Sequence, residues 1–406
     1  MTATPEVESV RDFDHLDPAF EADPFPVLAR MRETCPVARS ETYGGFWTVT
    51  RYDDTEAVIH DHETFSSRIV MIPRDLLQGF DGQPFSAPPI TTDPPFHAKF
   101  RKGLLPVFTR PQIRLWEQTT MDLADELVKG FVGREQIDAS REYAENIPIG
   151  VISRMMGIDP SDGDKFTDWV HRLFTSAGKV EDAAAAMIEI FQYLYGKIQE
   201  RRETPGEDLI SVFMESEVEG ERLDDNELLG GLAILLFAGV DTTWGAIGAS
   251  LHHLATHPED RRRLVAALDD PPDPTGLWFT ACEEFLRAFS PVTIARLCTR
   301  DTELRGQQIK EDDMVLVSYM GANRDPEAFE RPDEIVIDRQ NNRHFAFGVG
   351  IHRCLGSTLA RMELRVALQA FLRRFPDFHI PEGEEVYYSG GQVRGPRRMP
   401  IRLGPA

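Results

Sequence analysis

Cysteine is scarce in this chain. There are four in 406 residues, Cys35, Cys282, Cys298 and Cys354, and no two form a C-x-x-C pair. That usage excludes a disulfide scaffold and fits a reducing compartment. Positive charge is also short: 44 Lys and Arg stand against 67 Asp and Glu, a formal charge of −23. Such a chain is a poor candidate for holding nucleic acid or anionic lipid through its overall field. The longest apolar run, LLGGLAILLFAGV at 228–240, is stopped by Asp241 and is too short for a bilayer. It reads as a buried helix. The opening residues MTATPEVESVRDFDH hold no basic segment followed by an apolar one, so no signal peptide is expected. There is no fixed-period repeat and no linker-like stretch. G-x-G-x-x-G opening a βαβ unit and a C-x₄-C-x₂-C iron–sulfur run are both missing, so the chain carries no reductase module. These absences leave a cytoplasmic protein of one domain, 1–406, with 41% hydrophobic residues to build a core.

What the chain does have is helical periodicity. Helices are expected over PFPVLARMRET near the N-terminus and over 97–108, 111–130, 143–156, 163–177, 182–202, 206–216, 225–256, 277–288 and 355–374. FWTVTRY and the alternating stretch 291–320 predict short strands, and the tail after His379 predicts hairpin structure. Residues 66–95, rich in Pro and Gly, read as a long functional loop. The fold class is therefore mainly α with a minor β part.

The most unusual stretch is FAFGVGIHRCLG, 345–356, where one thiol sits in a glycine-rich turn just before a helix. Four readings of Cys354 stand on the residues alone: a structural thiol, a nucleophile, a zinc ligand or an axial haem ligand. A helix N-terminus favours a thiolate. Gly350 and Gly356 let a flat ligand come close to the backbone. Zinc fits poorly, because His352 and Cys354 are only two apart and no second ligand pair has suitable spacing. A second unusual stretch lies inside the apolar helix, Ala238-Gly-Val-Asp241-Thr242-Thr243. There the Thr242 hydroxyl can bond the Ala238 carbonyl four residues back. Taken alone, that stretch reads first as a helix–helix contact with a structural ion pair.

The spacing Phe347-x-x-Gly350-x-x-x-Cys354-x-Gly356 resembles the haem-binding signature of the cytochrome P450 family. Matches continue in family order from about residue 90 to the C-terminus. The resemblance implies a P450-like single-domain fold and haem b (iron protoporphyrin IX), with Cys354 as the thiolate metal ligand. It implies that Phe347 packs against the haem on the thiolate side. It makes Asp241 and Thr242 the acid and alcohol of a proton relay, beside Ala238. It assigns His97, Arg101, Arg296 and His352 to the haem propionates. Glu284 and Arg287 become a structural Glu-x-x-Arg pair, with Arg339 as third member. Two departures stand out: Asn341 lies where Pro is common, and Phe96 where an acid is common.

The activity implied is a monooxygenase that inserts one oxygen atom from O2 into a hydrophobic small molecule. Its electrons come from a separate ferredoxin-type donor with an NAD(P)H-dependent reductase, and neither nucleic acid nor membrane is a partner. Arg101, Lys102, Arg110, Arg114, Arg343, Arg353, Arg361 and Arg365 are the expected docking surface. The candidate substrate pocket is Met71, Ile72, Phe85, Ile90, Phe174, Ile234, Val292, Thr293 and Val393, with Arg68 as a partner for a substrate carboxylate. Two rivals remain at this stage. One is a peroxygenase or isomerase, against which the acid–alcohol pair speaks. The other is a haem-based sensor.

Overall fold

The computed structural model describes residues 12–74, 87–159, 162–174, 180–218, 221–271 and 273–404. Helix accounts for 54% and strand for 13%, which makes the fold mainly α. Its axis is the central helix, Asp225–Thr256. Asp224 starts it with a capping box: its side chain accepts from the Glu227 backbone N–H, and the Glu227 side chain accepts from Asp224 N–H, both at 2.8 Å. Pro258 follows two residues after its end and cannot continue it. This is the one helix among the described residues long and apolar enough to cross a membrane, but two-thirds of its apolar window is buried by the rest of the chain. It is a core helix, as the interrupted apolar run predicts.

Around it pack Asn146–Met155, Val180–Glu203, Leu277–Phe289 and the post-cysteine helix Ser357–Arg374, and Arg110–Gly130 lies against the last of these. Together they enclose a cluster that includes Tyr143, Trp244, Phe285 and Phe371. The post-cysteine helix stops at Phe375, the residue before Pro376, where the α conformation is disfavoured.

A five-stranded sheet stands beside the helices, in the order Val37–Ser40, Phe46–Val49, Met314–Ser318, Thr293–Cys298, Phe65–Ser66. One pairing, Phe46–Val49 with Met314–Ser318, is parallel and the others are antiparallel. Ile294, Val315 and Val317 fall in one apolar cluster; Ala295, Leu297, Met314 and Leu316 fall in another. Strand side chains alternate between faces, so this sheet is buried on both sides. Arg296 shares the face of Ile294 and Cys298.

The C-terminal hairpin, Tyr387–Ser389 paired with Gly395–Arg398, lies against the central helix. The approach is close enough to require glycine on both sides. A Cβ built on Gly395 would come within 2.6 Å of the Gly245 Cα, and one on Gly245 within 3.1 Å of the Arg394 carbonyl oxygen. This contact brings Arg397 to the middle of the central helix.

Candidate functional site

Cys354 lies between a short 3₁₀ turn, Gly350–His352, and the post-cysteine helix. The loop is folded on its own backbone. Cys354 N–H donates to the Phe347 carbonyl at 2.8 Å, Gly348 N–H to Phe345 at 2.8 Å and Arg353 N–H to Gly350 at 3.2 Å. Gly348 and Gly350 both have positive φ, 60° and 68°, where other residues are strained. Gly356 has an ordinary φ of −77°, and a Cβ there would find only the Cys354 sulfur, at 3.9 Å. The space beside the sulfur is therefore open. Cys354 is exposed, whereas Cys282 and Cys298 are buried, so its sulfur is open to a ligand. Burial pushes its thiol up; the Gly356 backbone N–H and then Arg101, Arg361 and Arg353 pull it back. A metal ion would deprotonate it outright.

Phe347 is half-buried, with the Arg361 guanidinium 4.3 Å above its ring. Arg361 is fixed in turn by two bonds to Glu283, at 2.6 and 2.8 Å. Burial alone would raise Glu283, but Arg361 and His344 outweigh it and bring the carboxyl down to about 2.

A cluster of imidazole and guanidinium groups converges next to this loop. His97 and His352 stack edge to face with centroids 4.3 Å apart, and the His352 Nε2 lies 2.9 Å from the Ser67 hydroxyl. Burial, then Arg296, His97 and Arg101, hold His352 down to about 2. Burial and the Arg101 charge also lower His97. Arg296 is 2% exposed, and its guanidinium bonds the Ala295 carbonyl at 2.9 Å. Among the described residues no carboxylate pairs with it, and the buried His97 Nε2 has no hydrogen-bond partner. Arg101 donates to the Arg353 carbonyl at 2.5 Å. Arg101 and Arg296 are the cations of this set; burial favours the neutral form of His97 and His352, which add N–H donors, and the Asp93 carboxylate acts on Arg296 and His97 from a distance. A ligand carrying two carboxylates fits this donor set.

On the central helix the expected Thr242 bond is present, from Oγ1 to the Ala238 carbonyl at 2.8 Å. Ala238 is exposed in the middle of this otherwise buried helix, and Ile234, Gly239 and Thr242 are half-buried. Spacings of four place 234, 238 and 242 on one face, which borders an open space. Asp241 points elsewhere. It is 3% exposed, and its Oδ1 lies 2.5 Å from an Arg397 terminal nitrogen, off hydrogen-bonding alignment. Burial raises its carboxyl and Arg397 opposes the rise.

Glu284 is fully buried and accepts five bonds: two from Arg287 at 2.8 and 2.9 Å, and one each from Arg339 Nε, Asn342 Nδ2 and Val336 N–H at 2.9, 3.0 and 2.7 Å. These donors outweigh burial and lower its carboxyl. Arg287 spends its other N–H groups on the carbonyls of Asn323, Pro332 and Glu334. Arg339 is thus joined to the pair despite Asn341.

The candidate pocket residues fare unevenly. Met71, Ile90, Ile234, Val292 and Val393 are half-buried, and Val292 and Val393 pair across a β-bridge. Thr293 is buried, with its N–H on the Gln392 carbonyl at 2.9 Å. Ile72 is a correction. It belongs to the core cluster with Phe13, Met31 and Phe46, so sheet packing and not a cavity claims it. Arg68 is exposed and bonds the Ser66 hydroxyl through Nε at 3.2 Å. Phe85 and the side chain of Phe174 lie outside the described residues.

Sequence reasoning missed Arg397, Glu363 and Ser67. Glu363 is buried in the post-cysteine helix, hydrogen-bonded to Thr243, and burial pushes its carboxyl up to about 8. Its signal was available: a lone acid among Leu359, Met362 and Val366 on the helix's inward face. Arg397 gave none, since one arginine of an Arg-Arg pair in a tail strand looks like solvated charge.

The family model described as Cytochrome P450 matches residues 149–270 and 279–390. Cytochrome P450 107B1 of Saccharopolyspora erythraea is 34% identical, over 97% of this chain and 98% of its own. The vitamin D(3) 25-hydroxylase of Pseudonocardia autotrophica is 34% identical, over 95% of each chain. The solved structure of the Bacillus subtilis bacillaene polyketide synthase cytochrome P450 PksS superimposes with a TM-score of 0.87 at 32% identity, covering 97% of this chain and all of that one. Similarity of this extent, carried along the whole fold, makes the chain a member of the cytochrome P450 family and a haem-thiolate monooxygenase.

Proposed function

We propose that this monooxygenase binds haem b through Cys354 and hydroxylates an apolar small molecule of terpenoid or aromatic character, with electrons from a ferredoxin and its NAD(P)H-dependent reductase in the cytoplasm. The observation that carries the reading is the convergence of His97, Arg101, Arg296 and His352 beside the cysteine turn, with the His97 Nε2 left without a partner among the described residues. Its two guanidinium charges and two imidazoles are partners that two propionates can use. When bound, the haem supplies the redox-active iron, and the thiolate tunes it toward O–O cleavage.

The remaining work belongs to the chain. The Gly348–Gly356 loop holds the sulfur at a fixed place by its own backbone bonds. The open face of the central helix, Ile234, Ala238 and Thr242, offers apolar surface with one hydroxyl. Asp241, behind that face, is the acid and Thr242 the alcohol of a short relay of the general-acid type. The half-buried Met71, Ile90, Val292 and Val393 favour an apolar substrate, in keeping with a relative named for vitamin D3.

Arg110, Arg114, Lys102, Arg343 and Arg353 are exposed and are the docking cations. Arg361 and Arg365 are withdrawn from that set, because Glu283 and Glu117 hold them. The test is a visible spectrum of the ferrous protein under carbon monoxide, followed by a terpenoid and aromatic library read by spin-state shift. A thiolate-type carbon monoxide complex, lost in Cys354→Ser, and shifts confined to apolar compounds are expected. An unchanged spectrum in Cys354→Ser overturns the ligand assignment, and shifts with charged compounds alone overturn the substrate class.

A further inference from the structure

Arg397 touches both the candidate pocket and the candidate proton donor. Its guanidinium is 3% exposed and has four neighbours. One terminal nitrogen is 2.5 Å from Asp241 Oδ1. The other donates to the Val393 carbonyl at 3.3 Å. Nε donates to the Ser389 hydroxyl at 2.6 Å, and the Trp244 ring lies 4.3 Å beneath the plane. Val393 is the pocket-wall residue that pairs with Val292, and its neighbour Gln392 accepts from Thr293. The 389–393 turn therefore hangs between the pocket wall and one guanidinium.

We infer that Arg397 is a positioning residue that couples the seating of a pocket ligand against the 389–393 turn to the protonation of Asp241. This rests on Asp241 being the acid of the relay. The guanidinium is a rigid fork. It meets Asp241 at 2.5 Å through one arm while the other arm donates to the Val393 carbonyl, so one rigid group spans both contacts. Pressure on Val393 moves the carbonyl that one arm of the fork holds, and the other arm must follow.

The charges around Asp241 set the direction of the response. On its own helix stand Thr242 and Thr243, the latter bonded to Glu363 of the post-cysteine helix. The C-terminal strand brings Arg397, whose carbonyl accepts from Arg141 at 3.3 Å. The 139–145 segment brings Glu145, 1% exposed and repulsive toward Asp241, with His171 2.8 Å beyond it. Arg397 is the only cation that holds Asp241 ionised among these described groups; burial and Glu145 both favour its protonated form. Loosening Arg397 thus transfers a proton from solvent to Asp241. By linkage, a ligand that loosens the contact binds with proton uptake.

The test uses two azoles on the ferric holoprotein: imidazole, too small to reach the turn, and clotrimazole, which fills an apolar pocket. Calorimetry in two buffers of different ionisation enthalpy counts protons per ligand bound, with the azole-bound spectrum confirming occupancy. Clotrimazole is expected to bind with a fractional proton uptake that imidazole lacks. That uptake should vanish in Asp241→Asn and in Arg397→Met, and return in Arg397→Lys. The same proton count for wild type, Asp241→Asn and Arg397→Met overturns the inference. If Arg397→Met does not hold haem, the comparison of wild type with Asp241→Asn decides alone: an equal count overturns the coupling and a lost count supports it. The relay fails separately: Asp241→Asn would then leave product formed per NAD(P)H unchanged. An uncoupled Asp241→Asn with undisturbed proton uptake in Arg397→Met leaves the relay standing and removes only the role of Arg397.

Discussion

Thr242 shows how much one side chain can be asked to do. Its hydroxyl already has an acceptor, the Ala238 carbonyl at 2.8 Å, so its proton is directed into the helix and its lone pairs toward the open face. That arrangement can accept a proton from the open face, and to give one there the hydroxyl must first turn away from the carbonyl. Thr242→Ala removes the hydroxyl and leaves the apolar surface nearly unchanged. Electrons should then leave as peroxide, with product per NAD(P)H falling at least severalfold while the substrate-induced spin shift persists. Coupling equal to wild type would show that the hydroxyl carries no proton. Glu363 makes a different prediction. Its carboxyl is pushed up to about 8 in the fold, against an ordinary value near 4.3. The folded state therefore binds this proton more tightly than the unfolded chain. Its contribution to stability is complete below the ordinary carboxyl range and is lost as pH rises toward 8. Glu363→Gln stays neutral throughout, so its Tm should gain on wild type steadily from pH 5 to pH 8. A constant Tm difference across that window would mean that Glu363 is already ionised in the fold.

At the level of elements, local signals decide what can be read from the sequence. The central helix was legible because its start, its apolar length and its end each carry a separate local signal. The helices Tyr52–His60 and Pro258–Ala266 were not read, since YDDTEAVIH and PEDRRRLVA bury few residues each and show little apolar stripe. The strand Val37–Ser40 was missed because it is four residues long and gains its identity only from pairing with Phe46–Val49. Sites followed the same rule. Cys354, the Glu284–Arg287 pair and Asp241-Thr242 are local patterns, whereas the Arg397–Asp241 contact joins residues more than a hundred positions apart and has no local trace. The Glu-x-x-Arg helix also yields a stability prediction. Glu284 ties Leu277–Phe289 to the 332–342 segment through Arg287, Arg339, Asn342 and the Val336 N–H. Glu284→Gln keeps the shape but leaves two buried guanidinium groups without their counter-charge. Breaking a buried pair in this way costs about 3–5 kcal/mol. The variant should unfold at markedly lower denaturant and lose haem earlier on heating. Stability within about 0.5 kcal/mol of wild type would reduce this network to ordinary surface pairing.

At the scale of the whole molecule, a strongly acidic protein must still receive electrons from a partner expected to be acidic. The overall charge of −23 repels such a partner, so association depends on a local surface of opposite sign. The structure divides the candidate cations into two kinds. Arg361 and Arg365 are held by carboxylates of their own chain and bring little free charge to the surface. Arg110 and Arg114 are exposed at the start of the Arg110–Gly130 helix, Lys102 near the end of the helix before it, and Arg353 next to Cys354. Reversing an unpaired cation changes the encounter without disturbing the fold; reversing Arg361 would instead release Glu283 and His344 and uncover the Phe347 ring. Arg110→Glu should therefore slow ferredoxin-driven reduction by roughly tenfold at low salt. The deficit should shrink as ionic strength shortens the screening length toward about 8 Å near physiological salt. Haem content, the carbon monoxide spectrum and Tm should stay at wild-type values. Stopped-flow reduction across a salt series decides the matter: a rate that matches wild type at every salt concentration places the docking surface elsewhere on the molecule.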